Sequence, residues 1–122
     1  MRINESMKVI DMLRERREHL RNEGEAGLQA AEDWCAYSAE DALSADTIVL
    51  IAEPVDVDEE TWEEILPQRA EEMGMSVAAT AETVDDVVIN AVNQNGAVKA
   101  GTLVEALNYY LEHDDFMTVS AG

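Results

Sequence analysis

Thr47-Ile48-Val49-Leu50-Ile51-Ala52 runs for six residues without a charge, in a chain where 29% of residues are charged. A short, continuous, β-branched run of this kind reads as a buried strand. Pro54 ends it. The remaining sequence has to cover that strand. The 122 residues suit one domain, since two would each have too little core.

Apolar spacing predicts helices around it. Residues 4–21 carry Met7, Ile10, Leu13 and Leu20, after Ile3, at three-, four- or seven-residue steps, with Asn4 as the candidate cap. Gly24 and Gly27 punctuate the next stretch. Trp34–Ser38 reads as a short strand, with a helical Leu28–Ala36 as the alternative. Asp58 is the candidate N-cap of a short helix reaching Leu66, because acids in its first turn suit the helix dipole. Pro67 restarts a helix through Ala70 and Met73 that stops at Gly74. Met75–Ala79 is a further candidate strand.

Val84, Val87, Val88, Ala91 and Val92 then mark one helical face, with Thr83 and Asp86 at capping-box spacing. Its valines make that helix dependent on packing, and a strand through Val87–Val92 is the alternative. Thr102 and Glu105 form a second capping box, ahead of the apolar face Leu103, Ala106, Leu107, Tyr110 and Leu111. The whole reads as a small single α+β domain: four or five helices packed on a short two- or three-stranded sheet. Residues 1–22 form its basic N-terminal helix and residues 23–122 its acidic body, the two making one globular unit.

Charge narrows the function. There are 27 acidic and 8 basic residues, for a formal net charge of −19. Six of the bases lie in residues 1–21, while residues 22–122 hold only Arg69 and Lys99 against 23 acids. Such a body repels phosphate and anionic lipid, which argues against direct nucleic-acid or membrane binding. It attracts basic protein surfaces over a reach of about 8–10 Å. Salt adaptation of a cytosolic domain is the competing explanation. Arg14, Arg17 and Arg21 share a helical face. That stripe is either solvated or docked on the acidic body, with a partner or self-association stripe as the sharper alternative. The sequence leaves the oligomeric state open, a homodimer included. An apolar content of 47% argues against a disordered acidic tail. No apolar run is long enough to span a membrane, and the start does not read as a signal peptide, so a cytoplasmic location in a bacterial host cell is expected.

Little points to catalysis, and no catalytic residue, metal ligand or cofactor is expected. His19 and His113 read as surface residues, and Glu112, Asp114 and Asp115 beside His113 do not make the convergent set that zinc needs. Cys35, between Trp34 and Tyr37, reads as core. Asp56, Asp58 and Glu60 alternate as in a calcium loop, but Thr61 and Pro67 occupy the positions that need glycine and glutamate. No glycine-rich phosphate loop is present.

The acid pattern itself remains. Glu59 with Glu63, and Glu60 with Glu64, are like-charge i, i+4 pairs on the expected helix, and Glu71 and Glu72 continue the run. Carboxylates about 5–6 Å apart imitate a strand of nucleic-acid phosphates. The candidate partner-binding residues are Asp58, Glu59, Glu60, Glu63, Glu64, Glu71 and Glu72. Asp85, Asp86, Glu112, Asp114 and Asp115 join them if the fold brings them to one face. The expected function is a non-enzymatic inhibitor that occupies the basic surface of a defence nuclease or similar complex, as a DNA mimic. The alternative is a toxin-neutralising immunity protein anchored by Trp62, Tyr109, Tyr110 or Phe116.

Leu66-Pro67 with Ala70 and Gly74, then Val84-Asp85-Asp86-Val87-Val88-Ile89-Asn90-Ala91 with Gln94, then Ala106-Leu107-Asn108-Tyr109-Tyr110-Leu111-Glu112-His113-Asp114-Asp115-Phe116 together resemble a small uncharacterised bacterial or phage domain family. The resemblance covers about residues 46–117 and implies no activity. In style the chain is similar to phage-encoded inhibitors of defence systems, anti-CRISPR and anti-restriction proteins among them, and to immunity proteins.

Overall fold

The computed structural model describes residues 4–29, 34–40 and 42–119, with Leu28 and Gln29 described by backbone alone. Arg2 and Ile3, and residues 30–33 of the alternative helix over Leu28–Ala36, lie outside the described residues. The elements are β1 (Glu5–Lys8), α1 (Val9–Gln29), β2 (Cys35–Ser38), β3 (Ile48–Ala52), β4 (Asp56–Val57), β5 (Glu64–Ile65), α2 (Gln68–Glu72), β6 (Ser76–Thr80), α3 (Ala81–Gln94) and α4 (Ala100–His113). Four strands form one antiparallel sheet in the order β1-β3-β2-β6, and β4 and β5 form a separate two-stranded ribbon. The domain is α+β, as expected, with four helices among the described residues.

β3 is the charge-free run, and its neighbours explain why it is apolar throughout. Side chains alternate across a strand. Val49 and Ile51 enter a cluster with Met12, Leu13, Val84, Val88, Leu103 and Leu107 of the three long helices. Leu50 and Ala52 point the other way, into a second cluster with Cys35, Tyr37, Ala70 and Met75, against which Val55 and Leu66 pack. Antiparallel sheets commonly leave one face wet; here β3 is covered on both from Val49 to Ala52, while Ile48 at its start is exposed. Each fully buried aliphatic side chain contributes roughly 1.5–3 kcal/mol.

β1 makes the sheet wider than the apolar spacing suggests. Residues 5–8 pair with β3, with Glu5 opposite Ile51 and Lys8 opposite Ile48, so the helix expected from residue 4 begins at Val9. Met7 fits either period: it packs on the main core from a strand as it would from a helix. Asn4 is not a helix cap. Its φ of 67° is left-handed, and its N–H donates to the Ile51 carbonyl at 2.6 Å. α1 breaks at Gly24 (φ 76°, ψ 178°), a conformation that suits glycine.

Two caps sit elsewhere than the capping-box spacing implies. Thr80, not Thr83, caps α3, accepting from the Thr83 N–H at 3.2 Å. α4 starts at Ala100 after Lys99, so Thr102 lies within its first turn.

Arg16, which no sequence pattern singled out, is 2% exposed and reaches 69 residues along the chain to Asp85 on α3. Its Nε donates to Oδ1 at 2.9 Å and its Nη2 to Oδ2 at 3.1 Å. The guanidinium also lies 5.5 Å from the Trp34 ring centroid. Burial pushes the Asp85 carboxyl above the usual carboxylate range, while the hydrogen bonds and charge of Arg16 pull it back down. Replacing Asp85 with Ala leaves a buried guanidinium without this partner and is expected to cost about 3–5 kcal/mol in urea unfolding. The double variant Arg16→Met, Asp85→Leu is expected to unfold near the parent midpoint, because the two desolvation costs disappear together.

Candidate acidic interface

The seven candidate carboxylates come from two consecutive elements mounted on one side of the sheet. Residues 53–72 hold nine acids and a single base, Arg69. The chain leaves β3 at Glu53, whose carbonyl accepts from the Tyr37 hydroxyl at 2.5 Å. Val55, just before β4, and Leu66, just after β5, then pack on the second cluster at the root of the β4–β5 ribbon. Ala70, wholly buried in that cluster, seats α2 on the same sheet face. The ribbon and α2 are therefore fixed opposite the layer formed by α1, α3 and α4.

Glu59, Glu60, Glu63 and Glu64 do not share a helical face. Asp56 pairs with Ile65 and Val57 with Glu64 as antiparallel strands, so the helix expected over 58–66 is a hairpin. Asp58 makes the bonds expected of an N-cap: its Oδ1 accepts from Glu60 N–H at 2.8 Å and from Thr61 N–H at 3.3 Å. The chain then reverses instead of winding on. Trp62 N–H donates to the Asp58 carbonyl at 2.8 Å, and Asp58 N–H to the Glu63 carbonyl at 3.0 Å. The i, i+4 repulsion that a helix would impose on four glutamates is avoided. The row of carboxylates at helical pitch does not exist. In its place is a short ribbon with acids at its tip and along both strands.

Trp62 closes the loop at φ 61° and is 79% exposed. A left-handed backbone at a bulky residue costs of order 1–3 kcal/mol. Val57 and Ile65 are also exposed, on opposite faces of the ribbon. Sequence reasoning had a signal for this hairpin: Val55-Asp56-Val57 alternates with period two. Nothing in the sequence marked the left-handed tryptophan.

The other sequence candidates fall elsewhere. Asp85 is buried with Arg16 and adds nothing to an acidic face. Tyr109 rests on His113 with ring centroids 4.3 Å apart, and Tyr110 on Phe116 at 5.1 Å. These rings belong to α4 and its C-terminal extension, not to the ribbon that carries Trp62. Cys35 is buried. Among the described residues, no three His, Cys, Asp or Glu side chains are placed to hold a metal ion. No helix among them is long and apolar enough to cross a membrane. An open groove of about 480 Å³ lies beside the ribbon root, lined by Asn4, Glu53, Pro67, Gln68, Arg69 and Glu72.

The arginine stripe of α1 is spent within the chain. Arg17 Nη1 donates to the Val98 carbonyl and Arg21 Nη2 to the Gly96 carbonyl, each at 2.9 Å, which ties α1 to the α3–α4 loop. Arg14 pairs with Asp11, and Arg17 and Arg21 with Glu18. Among the described residues, the carboxylates of the ribbon form no ion pair.

Residues 18–119 match the family described as Domain of unknown function (DUF7716). The chain belongs to this family. The matched range includes the ribbon, α2 and Asp85, while β1 and Arg16 precede it. No curated protein and no solved structure matches the chain.

Burial pushes the Tyr37 phenol up to about 12, helped by the negative potential of Cys35 and Glu53. The folded value lies above the unfolded one, so the stability this phenol contributes is intact below about pH 10 and is lost as pH rises through about 12. An ultraviolet titration is expected to show a late phenolate transition near about 12 that is absent in Tyr37→Phe.

Proposed function

We propose that the protein is a non-enzymatic interaction protein that inhibits a basic, nucleic-acid-handling protein by occupying the surface that protein uses for its own substrate. The observation that carries this reading is the segregation of charge. Eight of the nine acids of residues 53–72 sit on two elements held against one sheet face, while the α1 arginines are engaged internally. A carboxylate that already has an internal cation has little left for a partner; the ribbon's carboxylates have none among the described residues. Fixed negative charge steers a basic surface into contact and speeds association in a salt-dependent way.

Mimicry of nucleic acid rests here on rigid mounting rather than on regular spacing. A defence nuclease of a bacterial host, of the kind that anti-restriction and anti-CRISPR proteins inhibit, has the groove such a surface fits. Trp62 favours a second reading, an immunity protein gripping one toxin through an aromatic anchor. The two part in salt: a charge-dominated complex dissociates as ionic strength rises, and an anchored one persists.

The test is capture from bacterial lysate at low salt, comparing the parent with a variant carrying Glu59→Lys, Glu60→Lys, Glu63→Lys and Glu64→Lys. Close charge pairs couple by about 1.5 kcal/mol or more, so losing two of them alone weakens binding roughly 100-fold. The variant is expected to lose the captured partner while keeping the parent circular dichroism spectrum. Equal affinity of the variant for the same partner removes this surface from the account. A parent chain that folds only in molar salt supports salt adaptation instead.

A further inference from the structure

The hairpin tip presents more than charge. Among the described residues Trp62 is the most exposed of the large apolar side chains, and four hydrogen bonds that involve Asp58 close the loop that carries it. These bonds constrain the backbone that carries Trp62, which lowers the ordering cost of its burial in a complex. Val57 and Ile65 extend apolar surface down both faces of the ribbon. A two-stranded ribbon that packs on nothing is marginal in water. Among the described residues, this one is supported at its root by Val55 and Leu66.

We propose that Trp62 is the anchor of the acidic interface, and that it enters a cleft in the partner protein whose floor is apolar and whose rim is lysine and arginine. This rests on the reading of the acidic surface given above and specifies the chemistry of the site it meets. Charge complementarity selects the occupant. An exposed tryptophan surrounded by cations would suit stacked bases or an anionic lipid surface. Residues 53–68 contain no lysine or arginine, and seven carboxylates surround Trp62 along the chain. Both of those partners are therefore repelled. A second copy of this chain is repelled too, at a net charge of −19. A protein cleft with a cationic rim satisfies the acids while desolvating the indole, the arrangement of a central aromatic hot spot inside a polar ring. A cleft that takes the ribbon tip first also covers Val57 and Ile65, which a flat surface cannot do from one side.

Two synthetic peptides with the same lysine count test this, one an oligolysine and the other with leucines interleaved, titrated by fluorescence and calorimetry. The parent chain is expected to bind the leucine-containing peptide about tenfold or more tightly, with a blue shift of tryptophan emission. Trp62→Gly and Trp62→Asn both accommodate φ 61° and are expected to melt no lower than the parent. Each should lose the preference and the emission shift while binding oligolysine as the parent does. Equal parent affinity for the two peptides, or an undiminished preference in both Trp62 variants, overturns the anchor and leaves the acidic surface standing. Failure of the parent to bind either peptide overturns the acidic-surface reading with it. Binding of the parent to phosphatidylglycerol vesicles in place of the peptides overturns the protein cleft as the occupant.

Discussion

Burial of β3 on both faces is the constraint on which the other elements depend. A strand that is apolar at every position cannot be satisfied by one layer of helices. The chain answers with α1, α3 and α4 on one side, and with α2 and the root of the β4–β5 ribbon on the other. The second cover is thin. It consists of Ala70, Met75, Val55 and Leu66 over Cys35, Tyr37, Leu50 and Ala52. Because the cover is short and the segment that supplies it is acid-rich, finishing the core also presents carboxylates outward from that face. Packing and charge display are two results of the same twenty residues.

Basic side chains have a complementary task. Arg16 crosses the helical layer to Asp85, and Arg17 and Arg21 hold carbonyls of the α3–α4 loop. Arg69, the one base among the acids of residues 53–72, donates to the Asn4 carbonyl and ties α2 to the start of β1. These four arginines work as internal fasteners. A net charge of −19 then acts outward with little local compensation, which is a physical reason to treat the acids as a surface facing a partner.

The legible part of the sequence was the part governed by strong periodicity or by continuous apolar runs. β3, β2, β6, α3 and α4 follow from Thr47–Ala52, Trp34–Ser38, Met75–Ala79 and the valine and leucine faces, within a few residues at each end. Residues 5–8 and 58–66 form a strand and a hairpin where apolar spacing and capping predict helix, for one reason. Short segments with one to three apolar residues satisfy helical and extended periods alike, and pairing with another strand decides between them. Asp58 illustrates the ambiguity well, since an aspartate that accepts from the next N–H groups serves a helix start and a tight loop equally. Arg16 and Asp85 were invisible because a contact across 69 residues leaves no local pattern. Of the candidate interface, the residues were legible and their arrangement was not.

What the acids can do depends on whether residues 56–65 are a closed ribbon, since a helix would aim the same carboxylates and Trp62 quite differently. Proton–proton contacts measured by nuclear magnetic resonance on the intact chain decide this directly. The account predicts cross-strand contacts joining Asp56 to Ile65 and Val57 to Glu64, with Trp62 at positive φ. A ladder of i to i+3 contacts running from Glu59 to Leu66, with Trp62 at negative φ, would contradict it.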